Sequence, residues 1–197
     1  IHGTICQWAI QVLNIVTGNL DAVGGSLTTK PALDLLGAPG SKPGSYGRVK
    51  SRVSGRPEAN GELPVAVMAE EMLTPGEGQI KALVCIAGNP VLSTPNGRQL
   101  EQALQQLDFM VSLDMYLNET SQYADVILPT TTPLEHDHFD MIFNIFAVRN
   151  YVRYSDAVLP KPDGAKHDWE ILTQLGERLA TKLGVPAKPA PSPEMML

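Results

Sequence analysis

A continuous apolar run from Lys81 to Ala87 (KALVCIA) constrains the fold of this chain more than any other feature. The run has the length of a strand, and the turn residues Gly88-Asn89-Pro90 follow it. Strands with one solvent-facing side alternate apolar and polar residues, whereas strands buried on both faces are apolar throughout, as in parallel sheets. We therefore expect a parallel sheet with helices on both faces.

Two later runs have the same character. Phe109 to Leu113 ends in Asp114, and Val126 to Leu128 ends in Pro129. Between the first and second runs lies a helical stripe that Thr94 or Asn96 can cap, with Pro95 suited to a first helical position. Its apolar members are Leu100, Ala103, Leu104 and Leu107. The order of elements predicts right-handed crossovers and a three-layer, Rossmann-like α/β domain over residues 65–183.

Helices are also predicted at both ends of the chain. The last one runs from Asp168, its expected cap, to about Leu183, with Trp169, Leu172, Leu175, Leu179 and Leu183 as its buried stripe. An N-terminal helix carries a similar stripe, which consists of Ile5, Trp8, Ala9, Val12, Leu13 and Val16, and Gly18 follows its end. A glycine-rich loop completes residues 1–30. That loop is either a simple connector, which we favour, or a backbone that approaches a ligand closely.

The rest of the chain is rich in proline and glycine. Residues 31–64 lack periodicity and predict an irregular arm, and residues 184–197 predict a proline-rich tail. The arm carries a basic cluster, for which solvated loop charge is favoured over phosphate contacts. The members of this cluster are Arg48, Lys50, Arg52 and Arg56.

Composition excludes several classes of protein. No apolar run approaches the roughly 18 residues of a membrane span, so membrane insertion is not expected. The net charge is −6 and the basic residues are scattered, which argues against a nucleic-acid polymer as partner. Cys6 and Cys85 are far apart, so we expect two buried structural thiols rather than an iron–sulfur, zinc or redox site. Because an initiator Met is missing, we expect either a processed product or, in preference, a segment of a longer protein.

The candidate binding residues follow the strands, since ligands of open α/β sheets bind beyond the carboxyl ends of the strands. Gly88 permits close backbone approach and an unusual φ angle, and Asn89 offers a donor and an acceptor, although for Gly88-Asn89-Pro90 taken alone an ordinary turn is favoured. Asp114 can accept the two parallel N–H bonds of a guanine, or bind ribose hydroxyls. Its alternative role is to cap the turn that leads to Asn118-Glu119-Thr120, and both roles stay open.

Catalytic and metal motifs have little support. The segment Glu135-His136-Asp137-His138 suggests a metal ion, but no distant third ligand is evident, so we expect no protein-borne metal site. His136 is expected instead to donate a hydrogen bond to a ligand oxygen. G-x-S-x-G, G-x-G-x-x-G and the phosphate-loop motif do not occur, and no catalytic residue is expected in this chain.

Taken in order, several segments resemble the molybdopterin oxidoreductases, and more specifically the dimethyl-sulfoxide-reductase group with its formate dehydrogenases and nitrate reductases. The segments are LNIVTGN followed by Gly24-Gly25, then KALVCIAGNP, LDFMVSLDMYLNETSQYADVILP and AKHDWEIL. The likeness covers most of residues 3–30 and 65–183. It implies an oxidoreductase whose molybdenum or tungsten is held by two molybdopterin guanine dinucleotides.

The resemblance also implies roles for individual residues. Gly88 and Asn89 would line the phosphate or nucleotide region of the cofactor. Leu113, through its backbone, and Asp114 would meet the guanine end. His136 falls where several members have a basic residue, and Asp168 matches a position that touches the nucleotide. Both would therefore belong to the same binding site.

Other parts of the family pattern have no counterpart here. The cysteine motif, the region of the metal's side-chain ligand and the C-terminal barrel are missing, so a 4Fe–4S cluster is expected only in a missing N-terminal region. Expected partners are the other domains of the same full-length chain and an electron-transfer subunit. Between Asp140 and Arg149 only Asn144 and Arg149 match, which indicates a less specialised member. The alternative is a non-catalytic α/β module that binds a nucleotide or a partner, such as the middle domain of a thiamine-diphosphate enzyme.

Overall fold

The computed structural model describes residues 2–29, 31–32, 44–140, 143–147 and 150–186. The described residues fall into two compact units, one drawn from residues 2–32 and 137–156 and the other from residues 44–136 and 157–186. The first unit contains the N-terminal helix and a small two-stranded ladder, and the second contains a parallel sheet with its helices.

Five helices and seven strands make up the regular structure of the described residues. The helices are α1 (Gly3–Val16), α2 (Met68–Leu73), α3 (Pro90–Ser93), α4 (Gly97–Leu104) and α5 (Asp168–Leu183). The strands are β1 (Tyr46–Lys50), β2 (Pro57–Ala59), β3 (Ala82–Ile86), β4 (Phe109–Leu113), β5 (Val126–Leu128), β6 (His138–Phe139) and β7 (Tyr154–Ser155). Short 3₁₀ turns lie at Val65–Val67, Ser121–Tyr123 and Phe143–Phe146.

The main sheet is parallel, and its strand order is β3-β4-β5 with β4 in the middle. In register, Ala82 lies opposite Phe109, and Leu113 lies opposite both Ile86 and Leu128. All three strands coincide with the apolar runs of the sequence. The prediction of an α/β fold with a parallel sheet is confirmed.

One face of this sheet packs on α2 and α4. Met110 of β4 is 1% exposed, and the core around it consists of Ala69, Met72, Cys85, Val91, Leu100, Ala103 and Leu104. The predicted stripe of α4 is therefore confirmed, with Leu107 packed at its margin. Asn96 holds the N-cap position with a left-handed φ of +59°, whereas Pro95 lies outside the helix. Gly97 is required next to it, because a Cβ there would lie 2.2 Å from the Val91 carbonyl oxygen.

The opposite face of the sheet is apolar and mostly exposed, although Leu113 at its carboxyl end is buried. The exposed fraction is 46% for Val84 and 47% for both Ile86 and Phe109. The apolar stripe of α1 is also exposed, with Trp8 at 66%. The stripe of α5 is not buried as predicted, since Trp169 is 44% exposed, Leu179 and Leu183 are exposed, and Leu172 and Leu175 are only half-buried. Their spacing produces an apolar helix face, but burial needs a neighbouring surface that the described residues do not supply. None of the described helices is both long enough and apolar enough to cross a membrane.

The stretch expected to be irregular contains a short antiparallel hairpin, in which Tyr46 pairs with Ala59 and Lys50 with Pro57. Glu58, 1% exposed, holds the hairpin together. Its carboxylate accepts the Ser45 hydroxyl and the backbone N–H groups of Gly61 (2.9 Å) and Arg48 (2.8 Å). These bonds, that of Ser45 foremost, lower the pKa of Glu58 to about 2. The strands are too short and too interrupted by proline and glycine to show periodicity.

The basic cluster of this stretch is partly internal. Arg52 forms an ion pair with the buried Glu71 of α2, with 3.3 Å between Nε and Oε2, and donates to the Thr74 carbonyl at 2.7 Å. The backbone N–H of Val53 donates to the other Glu71 oxygen at 2.8 Å. Arg52 is therefore not the solvated loop charge that the sequence favoured. It anchors the segment after β1 to α2.

In the first unit, the glycine-rich loop after α1 closes on itself. Ser26 N–H donates to the Asn19 carbonyl at 2.9 Å, and a Cβ on Gly25 would lie 2.0 Å from that same oxygen. A glycine is therefore needed at position 25 because the loop backbone approaches the Asn19 carbonyl closely there. This contact lies within the loop, as expected of a connector. Elsewhere in this unit β6 and β7 pair antiparallel, and the Thr29 hydroxyl donates to the Ile145 carbonyl at 2.9 Å.

The packing of α4 can be tested by cavity formation. We expect Leu100→Ala to lower the free energy of unfolding by about 2–5 kcal/mol, because it removes methyl groups from a close-packed core. Gln102→Ala, exposed on the same helix, is the matched control and should change it by less than about 0.5 kcal/mol. Urea denaturation measures both. Equal effects of the two substitutions would contradict the packing described here.

The hairpin carboxylate predicts a pH dependence. Because the folded-state pKa of Glu58 is about 2 and its ordinary value is 4.5, the stabilisation is complete above about pH 4.5 and is lost as the pH falls towards 2. Glu58→Gln should remove that part of the acid sensitivity. Urea midpoints between pH 2 and 7 measure the slope, and Glu62→Gln on the same hairpin is the control. Identical slopes in the two variants would rule out this role of Glu58.

Candidate functional site

The carboxyl ends of β3 and β4 form one edge of the sheet, because the two strands are parallel neighbours. The backbone N–H of Ala87 extends the pairing by donating to the Leu113 carbonyl at 2.8 Å. Gly88 and Asn89 follow the first strand, and Asp114 follows the second. Four of the predicted site residues, Gly88, Asn89, Leu113 and Asp114, are thereby placed at the same edge.

Asp114 caps the turn that follows β4. Its Oδ1 accepts the Tyr116 N–H at 3.0 Å, and its Oδ2 accepts the Asn118 side-chain amide at 2.9 Å. This is the capping alternative that the sequence left open. It does not exhaust the side chain, since an ionised carboxylate has about four acceptor positions. The partly buried Asp114 therefore keeps acceptor capacity on both oxygens.

Asn89 is held by the loop that follows β4. Its Oδ1 accepts the Thr120 hydroxyl at 2.7 Å, and its Nδ2 donates to the Glu119 carboxylate at 2.7 Å. That bond lowers the pKa of Glu119 below its ordinary value. Thr120 is completely buried, and its Oγ1 also accepts the Val91 N–H at 3.0 Å. Thr120 thus links the ends of two strands, a role that the sequence analysis missed.

The unusual backbone conformation of this edge belongs to Ala87 and not to Gly88. Ala87 has a φ of +48°, in the left-handed region, whereas the φ of Gly88 is not positive. The expectation that Gly88 supplies an unusual φ is therefore wrong. A Cβ at Gly88 would meet the Ile86 carbonyl oxygen at 3.6 Å and Pro90 Cδ at 3.9 Å, which are ordinary contacts. The fold itself does not require a glycine at position 88.

The two cysteines differ in their surroundings. Cys85 is buried beneath the Gly88 turn, its thiol donates to the Gly88 carbonyl at 3.4 Å, and burial raises its pKa. It is the structural thiol that we expected. Cys6 is exposed, so the expectation of burial is wrong there, because no described element covers the apolar face of α1.

The other two predicted residues, His136 and Asp168, lie in a second group at the start of α5. The ring of His136 meets that of His167 edge-on, with 5.9 Å between centroids. His167 occupies the N-cap position of α5, and its backbone N–H donates to Glu170 at 2.8 Å. Asp168 is the exposed first residue of the helix, so the prediction that it is the cap is wrong by one residue. The cap carboxylate comes from Glu170, three positions after His167.

This second group is attached to the end of β5. The Thr131 N–H donates to the Lys166 carbonyl at 3.2 Å, and the Thr131 hydroxyl lies 2.7 Å from His167 Nδ1. A cleft of about 330 Å³ opens beside it. Its walls include Leu128, Pro129, Ile171 and Leu175, with Lys166 and Arg178 as its cations. An apolar cleft with cationic groups suits a ligand that carries negative charge.

Metal-binding groups are not assembled in the part of the chain that the structure describes. Within it, no three His, Cys, Asp or Glu side chains come close enough to hold a metal ion. The described residues thus offer binding groups at strand ends: a carboxylate, an amide, and histidines beside a helix start.

The backbone of this edge gives a stability prediction. Ala87→Gly should raise the free energy of unfolding by about 0.5–1 kcal/mol, because glycine adopts a positive φ without the Cβ strain that alanine bears there. Gly88→Ala should lower it by less than about 1 kcal/mol, since its added Cβ makes only ordinary contacts. Urea denaturation of both variants measures this. A larger loss for Ala87→Gly than for Gly88→Ala would contradict the assigned backbone.

Comparison with known proteins identifies the family of this chain. The family model for molybdopterin oxidoreductase matches residues 2–178. The assimilatory nitrate reductase catalytic subunit of Bacillus subtilis is 38% identical over 120 residues, which are 60% of this chain and 16% of that protein. The F420-dependent formate dehydrogenase subunit alpha of Methanocaldococcus jannaschii is 28% identical over 194 residues, covering 90% of this chain and 27% of that protein.

A trimethylamine-N-oxide reductase of Haemophilus influenzae is 25% identical over 196 residues, which cover 90% of this chain and 24% of that protein. The chain therefore spans between 16% and 27% of the length of these three relatives. The family match itself extends through α1, the parallel sheet and most of α5. This chain belongs to the molybdopterin oxidoreductase family.

Proposed function

We propose that this chain is the part of a molybdopterin-dependent oxidoreductase that holds the guanine dinucleotide end of the cofactor, whose metal is molybdenum or tungsten. One observation carries the proposal. Asp114 and Asn89 follow neighbouring parallel strands, and one loop ties both of them at the edge where open α/β sheets bind ligands. The family membership of the chain supplies the class of ligand.

The chemistry of these groups fits a guanine nucleotide. Guanine presents neighbouring N–H donors, on N1 and N2, and the carboxylate of Asp114 can accept both while its loop bonds persist. Because Gly88 has no side chain, its backbone is accessible to a phosphate or a sugar. Leu113 is buried and its carbonyl oxygen accepts the Ala87 N–H, which fixes the position of Asp114. We assign its backbone contact with the ligand to the second lone pair of that oxygen.

The second group extends the site along the same edge of the sheet. His136 and Asp168 belong to the segments attached to β5, the third strand of that sheet. The exposed carboxylate of Asp168 suits a ribose hydroxyl, and the partly buried ring of His136 can donate to a ligand oxygen. We assign both to the nucleotide portion of the cofactor.

When bound, the cofactor supplies the redox chemistry of its metal. We assign to this chain binding and orientation, and no catalytic residue. The side-chain ligand of the metal and any 4Fe–4S cluster belong to other parts of a longer protein in this proposal.

The partners that we propose are the other domains of such a longer chain, and an electron-transfer subunit for the whole enzyme. Two surfaces support the first of these. Val84, Ile86 and Phe109 expose one face of the sheet, and the apolar face of α1 is exposed along its length. Contiguous exposed apolar residues are typical of surfaces that bind another domain or protein.

The cofactor proposal predicts the effect of Asp114→Ala. In the natural full-length protein, purified after growth with molybdate, the substitution should weaken cofactor binding at least about 5- to 150-fold, because even a single donor that loses its buried partner costs about 1–3 kcal/mol. Molybdenum per polypeptide and guanine nucleotide released by acid hydrolysis measure occupancy. Asp108→Ala, at the amino end of the same strand, is the matched control and should retain full occupancy.

Two results would contradict different parts of this proposal. Absence of both metal and pterin from the unaltered protein would overturn the function itself. Full occupancy of a folded Asp114→Ala variant, with unchanged thermal stability, would remove Asp114 from the site and leave the family assignment intact.

A further inference from the structure

The orientation of the Asn89 amide is set by its neighbours. Glu119, as a carboxylate, only accepts hydrogen bonds, so the group that faces it at 2.7 Å must be the Nδ2 of Asn89. Thr120 lies on the other side. Its Oγ1 accepts the Val91 N–H at 3.0 Å, which leaves the single hydroxyl hydrogen to donate to Asn89 Oδ1 at 2.7 Å.

With this orientation, one hydrogen-bonding group of the Asn89 amide remains available. Its oxygen points to the completely buried Thr120, and one hydrogen of its nitrogen bonds Glu119. The second hydrogen on Nδ2 remains as a donor, with no partner among the described residues. We infer that Thr120 is a positioning residue that presents Asn89 as a hydrogen-bond donor to an acceptor oxygen of the bound dinucleotide, an inference that rests on the proposed function.

The same loop sets the opposite polarity at Asp114. Backbone N–H groups of Thr120 and Ser121 both donate to Asn118 Oδ1 at 2.9 Å, which turns the Asn118 amide nitrogen towards Asp114. Asp114 is an acceptor for the ligand, and Asn89 is a donor. One segment of four residues, 118–121, therefore fixes a donor and an acceptor at the ends of adjacent strands.

The test compares Thr120→Val with Thr120→Ser in the natural full-length protein, purified after growth with molybdate. Guanine nucleotide released by acid hydrolysis and molybdenum content measure occupancy, and thermal unfolding monitors the fold. Thr120→Val keeps the side-chain volume and removes the hydroxyl, so we expect occupancy under limiting cofactor supply to fall about three- to tenfold. Thr120→Ser retains the hydroxyl and should stay within about twofold of the unaltered protein.

A purely structural role of Thr120 is separated by a double-mutant cycle with Asn89→Ala. Thr120→Val also removes the acceptor of the Val91 N–H, so it should lower stability in both backgrounds. If Thr120 acts through Asn89, Thr120→Val should lower cofactor occupancy only in the background that retains Asn89. The same loss of occupancy in the Asn89→Ala background would overturn the inference, as would unchanged occupancy of a folded Thr120→Val variant.

Asn89→Asp tests the donor directly, and serves where Thr120→Val does not fold. It is made together with Glu119→Gln, because an aspartate alone would face the Glu119 carboxylate and be repelled by it. The aspartate keeps an oxygen for the Thr120 hydroxyl but has no N–H, so the double variant should lose occupancy as strongly as Asn89→Ala, whereas Glu119→Gln alone should not. Occupancy of the double variant equal to that of the unaltered protein would overturn the inference. A cofactor-free unaltered protein would instead contradict the proposed function, so the two failures are distinguishable.

Discussion

The parallel pairing of β3 with β4 is the interaction on which the rest of the structure depends. It fixes the register from Ala82 opposite Phe109 to Ile86 opposite Leu113, and the bond from Ala87 to Leu113 carries it beyond the strands. Parallel neighbours must be joined by a crossover, here α3 and α4, and α4 covers one face of the sheet with its apolar stripe. The same pairing brings two polar strand ends to one edge. The pairing of β3 with β4 therefore determines both the core and the position of the candidate site.

Much of this fold could be predicted from the sequence because its signals are local. The run from Ala82 to Ile86 is continuously apolar, and α4 repeats its apolar residues at helical spacing. Burial could not be predicted in the same way. Trp8 and Trp169 lie on helix faces with the pattern of a buried stripe, yet both are exposed, because burial is a property of the neighbouring surface and not of the helix.

The candidate site likewise has features that could be predicted from the sequence and features that could not. Topology predicted that Asn89 and Asp114 would lie at one edge, since each directly follows a strand. Their partners could not be predicted, because the bond between Thr120 and Asn89 joins residues that are 31 positions apart and depends on how one loop passes the other. The backbone conformation of Ala87 could not be predicted either, since nothing about an alanine indicates a positive φ. Left-handed non-glycine residues of this kind often mark functional positions.

The capping role of Asp114 supports the ligand role that we propose for it. A carboxylate that accepts bonds from Tyr116 and Asn118 is held in one orientation before any ligand arrives, and its remaining lone pairs then point in fixed directions. Asn89 is restrained in the same way by Thr120 and Glu119. Because folding has already ordered both side chains, they lose less conformational entropy when a ligand that matches their donor and acceptor pattern binds. The hydrogen bonds of the turn thus hold both side chains in one orientation at these strand ends, which is what the proposed recognition requires.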